Sequence, residues 1–186
     1  KTVQLVVVPP VNTEQALREK QIDVATLGTI HREKALERGG IRALFTDRDL
    51  FGAFGYGTYV MRDDFIAKNP EAVEDFVQGT ARAIRWAQVT PRDQVVAKFR
   101  EIIQKRNRNE DTEKIEYWRS SGIPVPGAVI AERELQTWID CLVRNGELEE
   151  GKLVAKDLYT NEYNPYANGT YTEGSGPDGQ PLASEK

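Results

Sequence analysis

One cysteine (Cys141), one histidine (His31) and one methionine stand among 186 residues. A single cysteine excludes an intrachain disulfide and a cysteine-ligated metal centre. One histidine with scattered acids falls short of the ligand set that a zinc site requires. No apolar run approaches the roughly 18–20 residues that cross a bilayer as a helix. No signal peptide opens the chain. Basic residues gather only over 98–108, and Glu101, Glu110 and Asp111 interrupt them. With a net charge of -4, that cluster reads as a solvated helix face, and nucleic acid is not an expected partner. Catalytic patterns are missing too. Ser120, Ser121, Cys141 and His31 fall in no nucleophile–base spacing, and no glycine loop is built to cradle a phosphate. The residues suggest neither an enzyme nor a cofactor.

What is present fits a soluble globular chain, 39% hydrophobic and 29% charged, long enough for one domain or two small ones. It begins at Lys1, directly before an apolar run and without an initiator Met. That start suggests an internal fragment, or a mature chain cut from something longer.

The first 45 residues read as strand, helix, strand, helix, strand. Val3–Val8 is a near-continuous β-branched run, as in a strand covered on both faces. Pro9 and Pro10 stop it, and Asn12 or Thr13 can cap the helix that follows. Ile22–Leu27 is the second expected strand, Gly28 and Thr29 open the second helix, and Gly39–Gly40 close it. Ile41–Phe45 is the third. Alternation of this kind predicts βαβ crossovers and a parallel sheet. A three-stranded open sheet is small for its own core and needs partners that this chain lacks.

Beyond it, Thr46–Gly57 reads as a connection leaving the sheet, and Thr58–Arg62 as a short strand. Apolar residues at spacings of three and four predict a strong helix over Glu71–Gln88, with Pro70 in its first turn. Further helices are expected from Pro91 to beyond Ile103, over Asp111–Trp118 and over Glu132–Arg144. Trp86, Trp118 and Trp138 are expected in the core. From Asn161 the composition turns to Gly, Pro, Asn and Ser. Tyr163 and Tyr166 are expected to dock, and the residues after about Gly169 to be disordered or extended.

Several motifs carry a resemblance to a known family: LVVVPP, then EQALREK with Ala16–Leu17, then QIDVATL with Ile22–Asp23, then Gly40–Leu44. A later stretch, YGTYVMRDDFIAKNPEAVEDFVQGTARAIRWAQ, continues the pattern to about Ala87. In order and spacing they resemble the second lobe of periplasmic substrate-binding proteins of ABC importers. The group is the aliphatic sulfonate, taurine and nitrate binders, with relatives that bind thiamine pyrimidine precursors. The resemblance implies an α/β, type II periplasmic-binding-protein-like fold: a βαβαβ unit, then a mainly helical C-terminal region. It places 1–54 in the second lobe, 55–160 in a return segment packing on a first lobe, and 161–186 in an irregular tail. It implies a periplasmic or membrane-anchored extracytoplasmic solute binder without enzyme activity. Such a protein holds a small anionic organic solute between two lobes that close by a hinge, and delivers it to membrane permease subunits. Where family members often carry an aromatic and an acid–proline pair, this chain reads Leu27-Gly28-Thr29-Ile30-His31, so the ligand can differ from taurine. The alternatives are a sensing or partner-binding module, and an enzyme of thiamine pyrimidine biosynthesis.

In an open α/β sheet a ligand lies beyond the carboxyl ends of the strands, at helix N-termini that favour anions. The candidate ligand residues are Pro10, Asn12, Thr13, Gly28, Thr29, His31, Phe54 and Tyr56. Each has a plainer reading: Asn12 and Thr29 as caps, Gly28 as a helix start, His31 as a solvent-facing residue, and Phe54 and Tyr56 as packing of a crossover.

Overall fold

The computed structural model describes residues 3–52, 54–55, 57–110, 112–172 and 174–182, without the side chains of Thr29 and Glu113. Among the described residues seven α-helices follow in order: α1 (Pro10–Arg18), α2 (Thr29–Glu37), α3 (Asp47–Phe51), α4 (Asp63–Lys68), α5 (Pro70–Val89), α6 (Arg92–Arg106) and α7 (Glu132–Arg144). Short 3₁₀ turns lie at Glu113–Tyr117, Pro126–Ala128 and Ala155–Asp157.

Among the described residues there is no β-strand. One isolated antiparallel bridge joins Ser175 and Pro181. This overturns the α/β, βαβαβ expectation. Val3–Val8, Ile22–Leu27, Ile41–Phe45 and Thr58–Arg62 belong to no helix and to no ladder. Their apolar side chains stand open: Leu5 is 92% exposed, Val7 100% and Val60 90%. The physical reason is that a β-branched run favours extended backbone, whereas a strand exists only when a second chain segment accepts its hydrogen bonds. Among the described residues no segment accepts ladder hydrogen bonds from these runs.

The helices follow their sequence signals. α5 has Pro70 in its first turn and buries Val73 and Ala81 on one stripe. α7 buries Ile139, and Asn145 ends it, its N–H reaching Cys141 O. Gly39 and Gly40 close α2 with φ of +68° and +75°, the left-handed region that glycine enters without strain.

The chain divides into two compact units, Lys1–Leu50 with Asp93–Arg119, and Phe51–Arg92 with Ser120–Lys186. The first buries Ala16, Ala35, Val95 and Val96. In it, Phe99 meets Trp118 edge-on at 5.7 Å.

The second buries Val73, Ala81, Ile139 and Ala155. There α5 packs on the Pro126–Ala128 turn, and Gln88 Nε2 donates to Ile123 O at 2.8 Å and to Val125 O at 2.9 Å. Asn161 bridges both backbone groups of Ile130, and Asn164 Nδ2 donates to Gly127 O at 2.9 Å. The Tyr166 ring lies so close to Gly127 that a Cβ there would sit 2.0 Å from a ring carbon. Beyond Gly169 the described residues do not run out as an extended tail. Ser175 and Gly176 are buried, and Gly176 N–H donates to Gln180 O at 2.7 Å. Trp138, expected in the core, is 57% exposed and meets Phe54 edge-on at 6.4 Å.

Candidate functional site

α1 and α2 both begin without a side-chain cap. Pro10 opens α1 and has no N–H, which removes one of the donors an anion would use. Asn12 is exposed, and its N–H turns back to Pro9 O at 2.9 Å. Thr13 is buried, and its hydroxyl donates to Pro9 O at 3.1 Å. Its donor is therefore directed at the chain's own backbone.

α2 is the better-prepared end. Gly28 precedes it in an extended conformation, is exposed, and has open space where a Cβ would stand. The first intrahelical bond runs from Arg32 N–H to Gly28 O at 2.8 Å, so the amides of 29–31 lie in the turn whose N–H groups have no helical acceptor. No acid sits in that turn, leaving the positive end of the helix dipole uncompensated. His31 is half-buried there. The Thr29 side chain lies outside the described residues.

α1 and α2 are joined through Arg18. Its two η nitrogens donate to Gly39 O at 2.8 Å and Ala35 O at 3.0 Å, and its Nε pairs with Glu14 at 2.9 Å. Arg38 pairs with the other Glu14 oxygen at 3.0 Å. Burial alone would raise the Glu14 carboxyl's pKa, but hydrogen bonds from Arg18 and Arg38 outweigh it and hold the group below its ordinary value. Among the described residues, no hydrogen bond joins Pro10, Asn12 or Thr13 to Gly28 or His31. Phe54 belongs to the other unit, where it meets Phe51 at 5.8 Å. Tyr56 lies outside the described residues.

Sequence reasoning did not single out a second cluster in the first unit. A cavity of about 330 Å³ is lined by Glu33, Leu36, Glu37, Glu116, Tyr117 and Arg119. Tyr117 OH donates to Glu37 at 2.7 Å, and Lys34 stands 5.4 Å from the Tyr117 ring centre. The hydrogen bond from Arg32 chiefly, with a smaller share from Arg119, keeps the Glu33 carboxyl below its usual range against the opposing effect of burial. Glu33 pairs with Arg32 and Arg119, Glu116 with Arg100, and Glu37 takes the Tyr117 hydroxyl, so the cluster reads as a clamp on the Glu113–Tyr117 turn. Only the Glu14–Arg18 spacing was a signal available in the sequence, as an i,i+4 pair.

Among the described residues, no group of three or more His, Cys, Asp or Glu is placed to hold a metal ion, and no helix is long and apolar enough to cross a membrane. The arrangement at α2 can bind an anion through backbone N–H groups.

The profile of the NMT1-like family matches residues 1–102, which takes in α1 to α5 and most of α6. The chain belongs to the NMT1-like family. That family is mainly one of substrate-binding proteins and is typically extracytoplasmic. Membership supports the substrate-binding resemblance read from LVVVPP to Ala87. No curated protein and no solved structure matches the chain.

Proposed function

We propose that the chain serves as a solute-binding component of an ABC importer, taking a small anionic organic solute and passing it to the permease subunits. The observation that carries this reading is the family match over residues 1–102. The first turn of α2 supports it chemically: open backbone at Gly28, N–H groups without helical acceptors over 29–31, and no acid to repel an anion. Sulfonates, taurine, nitrate and pyrimidines are the solutes of this reading. Gly28, Thr29 and His31 form its primary contact set, and Asn12 its secondary one. Pro10 and Thr13 shape the turn beside it, since one lacks a donor and the other directs its donor inward. This reading takes the Phe51–Gly57 stretch as the hinge. Gly52 there has a φ of +72°.

Thermal unfolding with each solute class tests the reading. A ligand at a hundredfold excess over its Kd stabilises the folded state by about 2.7 kcal/mol, which raises Tm by several degrees. A shift that Gly28→Val removes is the expected result. No shift with any of the four classes would sink the reading.

A further inference from the structure

α5 carries Arg82 and Arg85, three residues apart, and both reach the C-terminal turn. Arg82 Nε donates to Pro177 O at 2.9 Å, while Arg85 donates from Nε to Ser175 O at 2.8 Å and from an η nitrogen to Gly174 O at 3.2 Å. Tyr166 OH donates to Gly176 O at 3.0 Å. Four successive carbonyls, from Gly174 to Pro177, are thus held by side chains outside the turn.

This attachment has an unusual balance. Its acceptors are neutral carbonyls, whereas the planar fork of a guanidinium can bond two oxygens of an oxyanion at once and gains charge attraction as well. Little apolar area holds the turn down, since Leu182 is 44% exposed. Ser175 is 1% exposed, and its hydroxyl has no hydrogen-bond partner, a cost that the closed turn carries. A cavity of about 420 Å³ opens beside it, lined by Gly79, Arg82, Ala83, Pro177 and Asp178. It gives a solute access to Arg82 while the turn is still in place.

We infer that residues 174–182 form a displaceable strap whose carbonyls occupy an oxyanion site made by Arg82 and Arg85 on α5. An oxyanion entering by the Arg82 cavity replaces the carbonyls one by one and releases the strap. Asp178, on the cavity wall, adds repulsion toward the incoming anion, so the strap also sets a threshold of anion concentration. This site lies in the second unit and does not depend on the solute-binding reading of α2.

The test uses the full chain and inorganic phosphate at matched ionic strength. The N–H groups of Gly176 and Gly179 are hydrogen-bonded within the turn, to Gln180 O and Gly176 O. Their hydrogen exchange is expected to accelerate in phosphate. A second measurement compares phosphate affinity in the wild type, Gly179→Ala and Arg85→Ala. Gly179 has a φ of +80°, and a Cβ there would lie 2.6 Å from the Tyr171 ring, so alanine loosens the strap. Removing that closed state raises phosphate affinity by about tenfold. Arg85→Ala lowers it. Exchange at Gly176 and Gly179 that phosphate leaves unchanged overturns the inference, whether or not the Gly179 variant folds. Equal affinity in the wild type and a folded Gly179→Ala chain also overturns it.

Discussion

Residues 3–8 and residues 161–182 invert what their compositions suggest. The first is six residues of almost pure β-branched and aliphatic character, and most of it stands open: Val3, Leu5, Val6 and Val7 are all more than half exposed. The second has few aliphatic residues and is tightly held. Asn164 and Pro165 are buried, Asn161 bridges Ile130, and Tyr166 fills the space that Gly127 leaves. Apolar character gives a segment a reason to be buried, but not a place. Specific donors aimed at named carbonyls give it a place without much apolar area. Order in this molecule follows the second kind of cause more closely than the first.

The largest effect expected from breaking the contrast is at Gly127. Its φ is +58°, and the Tyr166 ring stands where a Cβ would go. Gly127→Ala combines left-handed strain with overpacking and should cost about 2–4 kcal/mol, read as a lower urea midpoint. A loss under 0.5 kcal/mol would mean that the Tyr166–Gly127 contact does not anchor the second unit.

Acid titration gives a middle-sized effect, confined to charge. Glu14 and Glu33 have folded-state pKa values below their unfolded ones, and Glu101, between Lys98 and Lys105, is lowered to about 2. A depressed carboxyl stabilises fully above its unfolded pKa, near 4.5, and that contribution disappears as pH falls through the folded value. Tm should therefore be flat above about pH 5.5 and decline below about pH 4.5. Glu14→Gln should reduce the decline, and an unchanged acid limb in that variant would refute the Arg18–Glu14–Arg38 assignment.

The smallest effect sharpens the comparison from the other side. Val7 is fully exposed. Val7→Lys should shift stability by less than about 0.5 kcal/mol in the same urea assay. A loss of several kcal/mol would show that the segment is buried in solution.

The helices were legible because each carries its own evidence. α5 has Pro70 at its start and apolar residues every three to four positions, and α7 has the same stripe and an Asn145–Gly146 stop. Even the Gly39–Gly40 stop of α2 could be read, since positive φ is a local demand. The sheet was misread for the opposite reason. Whether Val3–Val8 pairs depends on a neighbour that its own residues do not encode. No helix was expected over Asp63–Lys68, which forms α4 through local i→i−4 bonding that two acids at its start favour. In the candidate site, the start of α2 after Gly28 was legible, but not that it carries no side-chain cap. The inward turn of the Thr13 hydroxyl was not, because a cap and a back-bonding threonine look alike in sequence. The Gln88, Asn161 and Asn164 bonds span 31–39 residues and leave no periodic trace.

The order in which the chain visits its two units bears on how it folds. It passes from one to the other at Leu50–Phe51, at Arg92–Asp93 and at Arg119–Ser120. Neither unit is therefore a contiguous stretch, and no single cut releases one intact. Each must close a loop made of part of the other, at an entropic cost that falls if the intervening piece has already drawn its own ends together. α5, with its strong local periodicity, lies within the piece that the first unit must span. Early formation of that helix would shorten the search for the first unit, tying its assembly to a helix that belongs to the other unit.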